Sequence, residues 1–150
     1  MQPQSFRQFG KGIVFILMIA SVCVLHAIIT KDDSNSYTTT TLICTLVTLQ
    51  VCLVLFYQLT ITVTEETVSF RMGIGLIGKS YSIREIQSCQ TVKNSLLYGL
   101  GIHWFPKGII YNISGINAIE LRFKNRRSVV RIGTDRPEEV ARLINSLLVR

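Results

Sequence analysis

The chain is poor in the residues that chemistry usually requires. Its 150 residues include two histidines, three prolines and nine acidic residues, and only 17% are charged. His26 and His103 lie far apart in the chain, and neither belongs to a Cys/His cluster. The four cysteines, at 23, 44, 52 and 89, form no Cys-x-x-Cys pair, so neither a zinc centre nor a disulfide framework is indicated. Three of them lie inside apolar runs, where a thiol behaves as a small hydrophobe. Cys89 stands alone, as expected in a reducing compartment. No Ser/His/Asp set, paired carboxylates or metal cluster converges, so we expect no enzymatic activity, no catalytic residue and no cofactor.

What the chain does have is apolar length. Hydrophobic residues make up 48%, and Ile13 to Ile29 is nearly continuous. At about 1.5 Å per residue such a run covers roughly 26 Å, close to the hydrocarbon thickness of a bilayer. Arg7 and Lys11 resemble the basic start of a signal peptide. No Ala-x-Ala site follows, however, and Val22 stands where a lipoprotein-type site at Cys23 needs a small residue, so the run reads as an uncleaved anchor. Lys31 to Thr40 is polar and suits a turn in water. A second apolar run, Leu42 to Leu59, carries Tyr57 near its end as an interfacial aromatic. Two spans joined so closely form an antiparallel helical hairpin. His26 and Gln50 interrupt them, and helix–helix or subunit hydrogen bonding is the simpler reading than an ion path.

The formal charge of +7 is unevenly placed. Residues 1–12 contribute +2, the connection at 31–36 contributes −1, and residues 60–150 contribute +6, from thirteen basic and seven acidic side chains. Basic ends around an acidic loop predict both termini in the cytoplasm. Three parts follow: a cytoplasmic N-terminus over 1–12, a transmembrane hairpin over 13–59 and a cytoplasmic domain over 60–150.

That domain is organised around Gly101 to Pro137, with Tyr111-Asn112-Ile113-Ser114-Gly115 at its centre. Leu59 to Val63 and Val68 to Met72 alternate as strands about a turn at Glu65-Glu66. Ser80 to Val92 reads as one extended region with Tyr81, Ile83 and Ile86 inward, and Ser95 to Pro106 is irregular. Ile109 to Ile113, Ala118 to Phe123 and Ser128 to Ile132 are strands, the last two joined by a hairpin at Asn125-Arg126. In the closing helix, Val140, Leu143, Ile144, Leu147 and Leu148 share one face. Thr134 or Asp135 suits its cap, and Asp135 with Glu138 has capping-box spacing. About seven short strands and one amphipathic helix predict a small curved antiparallel sheet plugged by that helix.

Two motifs invite a ligand. Gly73 to Ser80 satisfies both the dinucleotide fingerprint and the Walker A pattern, but Tyr81-Ser82-Ile83 alternates where a helix must begin. A glycine-rich hairpin connection fits better. In the basic hairpin, alternation buries Ile119, Leu121 and Phe123 and turns Arg122 and Lys124 outward. Arg131 joins them from the returning strand, and Arg126 and Arg127 crown the turn. Such a patch attracts anionic lipid, each basic residue near the surface contributing on the order of 1 kcal/mol; an ordinary solvated face has the same composition. Tyr98, Trp104, Phe105 and Tyr111 lack the stacking arrangement of an RNA-binding sheet, so no nucleic-acid partner is expected.

Gly108-Ile-Ile-Tyr111-Asn112-Ile-Ser114-Gly115, the Ala118 to Phe123 strand and Arg131-Ile132-Gly133-Thr134-Asp135-Arg136-Pro137-Glu138 together resemble a bacterial pleckstrin-homology-like family, whose members are often flanked by membrane spans. Ile83 to Ser88 is similar to an extended segment of that group. The resemblance covers roughly residues 60–149. It implies a strongly bent seven-stranded antiparallel barrel closed by the C-terminal helix, and a binding or scaffolding role without catalysis. The expected protein is thus a two-span protein of the bacterial inner membrane displaying a cytoplasmic PH-like module. Its expected contacts are a protein partner or anionic lipid headgroups, through Arg122, Lys124, Arg126, Arg127 and Arg131. The alternative is a small accessory subunit of a membrane transporter or membrane enzyme complex.

Overall fold

The computed structural model describes residues 2–30, 36–95 and 100–149. Two long helices stand apart from a sheet-rich body. α1 spans Lys11–Thr30 and α2 spans Ser36–Phe56, and both are long and apolar enough to cross a membrane. They pack on each other and, apart from Phe56 at the end of α2, which packs against the sheet core, they leave their apolar side chains outside it, so Phe15, Val22, Ile29, Val47 and Val51 stay exposed. Gln50 Nε2 donates to Ser21 Oγ at 2.9 Å across the pair, and Ser21 donates on to Leu17 O at 2.8 Å. His26 takes no part in this contact and is exposed. α2 begins six residues before Leu42, although the polar stretch there suits a turn. Thr40 and Thr41 donate their hydroxyls back to Ser36 O and Tyr37 O, which satisfies them inside a helix. The acidic part of the connection lies outside the described residues.

Directly before α1 comes a strand that the pattern of the sequence does not announce. β1 (Gln4–Phe9) pairs antiparallel with β2 (Gln58–Val63), from Phe9 opposite Gln58 to Gln4 opposite Val63. Gly10 N then donates to Tyr57 O at 2.8 Å, so the ladder runs to the very ends of the helices. The N-terminal segment, residues 1–12, thus contributes a strand to the sheet. β3 (Thr67–Met72) and β4 (Ile77–Ser82) complete a four-stranded antiparallel sheet in the order β1-β2-β3-β4.

A single turn of 3₁₀ helix, Ile83–Glu85, ends β4 and redirects the chain into β5 (Ile86–Lys93). The region read as one extended stretch is thus two strands in two sheets. The second sheet adds β6 (Gly101–Phe105), β7 (Gly108–Asn112), β8 (Asn117–Phe123) and β9 (Val129–Gly133), in the order β5-β8-β9-β7-β6. β7 and β9 are parallel, because the β8–β9 hairpin returns its second strand beside β7. The described fold has nine strands in two sheets with one parallel pair. This replaces the expected seven-stranded antiparallel closed barrel; the C-terminal helix is present as expected.

The two sheets share one core. Phe70 of β3 meets Tyr111 of β7 with ring centroids 4.3 Å apart, and Tyr81 of β4 meets Phe123 of β8 at 5.1 Å. α3 (Pro137–Leu148) lies along β5 and buries Val140, Ala141, Ile144 and Leu147. Its start differs from the expected cap. Arg136 is the N-cap residue without a side-chain cap bond, and Pro137 opens the helix. Thr134 Oγ1 accepts from Arg136 N at 3.3 Å, while Asp135 Oδ1 accepts from Gln8 Nε2 at 2.7 Å. Asp135 therefore ties the far end of the chain to β1. Gln8 also donates to Ser114 O at 3.0 Å, beside the turn where Asn112 Nδ2 donates to Gly115 O at 2.9 Å. A Cβ on Gly133 would collide with Asn112 Oδ1, which explains a glycine at that strand end.

α3 also seals the edge of β5. Asn145 donates to Cys89 O at 2.8 Å and accepts from Cys89 N at 3.1 Å, as a neighbouring strand would. Burial pushes the Cys89 thiol up to about 12, so it stays protonated at neutral pH. In the folded protein Cys89 should resist a water-soluble maleimide and react only once denatured; prompt labelling would contradict the docking of α3. Gln8→Ala should lower stability by about 1–3 kcal/mol, since two long-range hydrogen bonds go, one of them to a carboxylate. Denaturant titration of the full chain in detergent, followed by circular dichroism, reads this directly. An unchanged midpoint would mean that β1 is not docked.

Candidate anion-binding concavity

β8 and β9 lie inside the five-stranded sheet, so one face of each strand meets the core and the other faces out. On β8, Ile119, Leu121 and Phe123 enter the core. Glu120 and Arg122 occupy the opposite face, with Lys124 exposed just beyond the strand. In the register Glu120 stands opposite Arg131 of β9 on one side and Gln90 of β5 on the other. This face forms a concavity of about 720 Å³. Arg122, Lys124, Arg126, Arg127 and Arg131, the five residues singled out from the hairpin sequence, all line it, and Lys107 joins them from the β6–β7 turn. Six cations and one carboxylate give the lining a formal charge of +5.

That carboxylate is the feature sequence reasoning missed. Glu120 accepts from Arg122 Nε at 3.0 Å and from Arg131 Nε at 2.9 Å, and its side chain is only 6% exposed. Burial alone would raise its carboxyl, but the hydrogen bonds and charges of Arg131 and Arg122 outweigh burial and hold it below the usual carboxylate range. Glu120 is thus a brace that fixes two guanidinium groups, and both of its oxygens are engaged. Two further contacts place arginines on aromatic rings. The Arg126 guanidinium lies 3.6 Å from the Phe123 ring centroid and 5.4 Å from that of Tyr81, and Arg131 lies 4.8 Å from Phe105. Such contacts orient a cation while leaving its N–H edge available to an anion.

Position relative to the helices decides what reaches this site. β2 leaves α2 at Gln58 and ends at Val63, before the turn that carries Glu66. Glu66 O accepts from Ile83 N at 2.8 Å, and Glu85 O accepts from Lys124 N at 2.9 Å. The basic hairpin is therefore at the end of the domain remote from the helices. At about 3.3 Å per residue, the length of β2 alone is roughly 17 Å. Screening in physiological salt is effective beyond about 8 Å.

The other motif holds no comparable site. Gly73 to Ser80 forms the turn between antiparallel β3 and β4 and the first part of β4. No helix N-terminus follows it to meet a phosphate. No protein-family model, curated protein or solved structure matches the chain.

Because the carboxyl of Glu120 is lower in the folded state than in the unfolded chain, its contribution is complete above the ordinary carboxylate range. It is lost as pH falls through the depressed folded value. Glu120→Gln should therefore cost about 1–3 kcal/mol at neutral pH, where two charge-assisted bonds are weakened. The difference from the unmodified chain should shrink as the medium is acidified. A difference that stayed constant in acid would show that the carboxylate charge is not what braces the arginines.

Proposed function

We propose that this protein is a membrane-anchored binding module whose basic concavity docks an acidic segment of a partner protein. In this reading α1 and α2 span the bacterial inner membrane, with both chain termini and the sheet domain on the cytoplasmic side. The observation that carries it is the convergence of six cations on one 720 Å³ concavity, with guanidinium groups pre-set by Glu120, Phe105 and Phe123. Preset donors lose less side-chain freedom on binding, and guanidinium groups pair well with carboxylates. The remoteness of the hairpin favours a partner arriving from water over the leaflet that holds the helices. The anchor already keeps the domain at the membrane, so recruitment needs no lipid affinity. The PH-like resemblance of the sequence implies the same class, a binding or scaffolding module.

A second reading rests on His26. It sits on the exposed side of α1, whereas Gln50 is already satisfied by Ser21 within the hairpin. A polar ring facing outward from a span suits a neighbouring membrane helix, as in an accessory subunit.

The test uses the full chain in neutral-lipid nanodiscs and a fluorescent glutamate-rich peptide. Binding should weaken steeply with salt, and Arg126→Ala/Arg127→Ala should reduce affinity about three- to thirtyfold, at up to about 1 kcal/mol per exposed pair. No peptide binding at low ionic strength would overturn the proposal. Selective binding to anionic vesicles in place of the peptide would transfer the site to lipid.

A further inference from the structure

The glycine-rich turn that resembles a phosphate loop has a different use. Met72 pairs with Leu59, one residue beyond the first position of β2, so the β3–β4 turn lies at the helix end of the domain. Gly73 N donates to Gln58 O at 2.7 Å, and Gly75 N donates to Met72 O at 2.9 Å. Gly73 has φ +54° and lies so close to the carbonyl oxygens of Val54 and Leu55 that any side chain there would collide with them. The turn is thus seated on the last turn of α2. The next residues expose apolar surface: Ile74 is 62% accessible and Leu76 is 76% accessible. Both values are those of the outward faces of α1, not of a folded core. At the same level Phe9 packs edge-on to Tyr57 with centroids 6.4 Å apart, where an interfacial aromatic belt would lie.

We infer that this turn is a third membrane contact, with Ile74 and Leu76 seated in the headgroup–acyl boundary of the leaflet that α1 and α2 leave. The inference rests on the reading of the two helices as spans. Its occupant is set by continuity: a surface fixed to the last turn of a spanning helix, two residues from that helix's end, meets the same bilayer. Exposed Arg71, whose stem lies beside Gly75, and Lys79 on β4 flank the turn with basic groups suited to that boundary. The contact would make the membrane attachment three-footed and so resist tilting of the domain about the hairpin.

The experiment places single tryptophans in the full chain, in parallel vesicle sets containing lipids brominated at shallow or at deep acyl positions, the deep set reporting on the mid-span control. Trp104→Phe removes the native fluorophore. Leu76→Trp is then compared with Val47→Trp in mid-α2 and Glu66→Trp at the remote turn. The inference expects Leu76→Trp to be quenched and blue-shifted, with Glu66→Trp unaffected. Quenching at Val47→Trp but not at Leu76→Trp would overturn the third contact and leave the spans standing. Quenching at neither would overturn both. Ile74→Trp serves as a second probe of the turn, and an absence of quenching at both turn positions would likewise overturn the contact.

Discussion

The pairing of β1 with β2 is the constraint on which the rest depends. Each strand is continuous with a long apolar helix, with one residue between strand and helix on either side, and the ladder runs out to Gly10 and Tyr57. A hairpin of helices joined by a single chain to a domain would swing. Here two chains enter the sheet side by side, and Gln8 locks the first of them to Ser114 and Asp135. The sheet therefore inherits its orientation from the helices. The distance of the basic concavity from the helix ends, and the seat of the β3–β4 turn on α2, are both consequences of that junction.

Much of the architecture was legible because it repeats at a fixed period. Leu59, Ile61 and Val63, then Ile119, Leu121 and Phe123, alternate into the core, and α3 carries its apolar stripe at helical spacing. β1 escaped because Gln4 to Phe9 has no comparable alternation and adjoins a long apolar run, beside which Arg7 reads as a flanking charge. The corner at Ile83 to Glu85 escaped for a geometric reason. A single 3₁₀ turn puts Ile83 and Ile86 on the same side, so the inward pattern survives while the strand does not. β6 is an edge strand that exposes Trp104 and offers little inward apolar surface.

The site divides in the same way. The five basic residues were legible because they are local to one hairpin and lie on its outward side. Glu120 was not, since its burial depends on standing opposite Arg131 across the β8–β9 register and within reach of Arg122. Lys107 belongs to another hairpin and joins the concavity only through the parallel β7–β9 pairing. Asp135 was assigned to the start of its own helix and instead serves Gln8, distant in sequence. Long-range partners of polar groups are the information that local patterns do not contain.

Hydrogen–deuterium exchange of the full chain in a lipid environment tests the central claim most directly. If β1 bolts the helices to the sheet, amides within Gln4–Phe9 that face β2 exchange as slowly as those of β2, and both strands lose protection together in denaturant. Rapid exchange through Gln4–Phe9, with β2 still protected, would show a free tail. The domain would then hang from one strand, and the fixed placement of its concavity would fail with it.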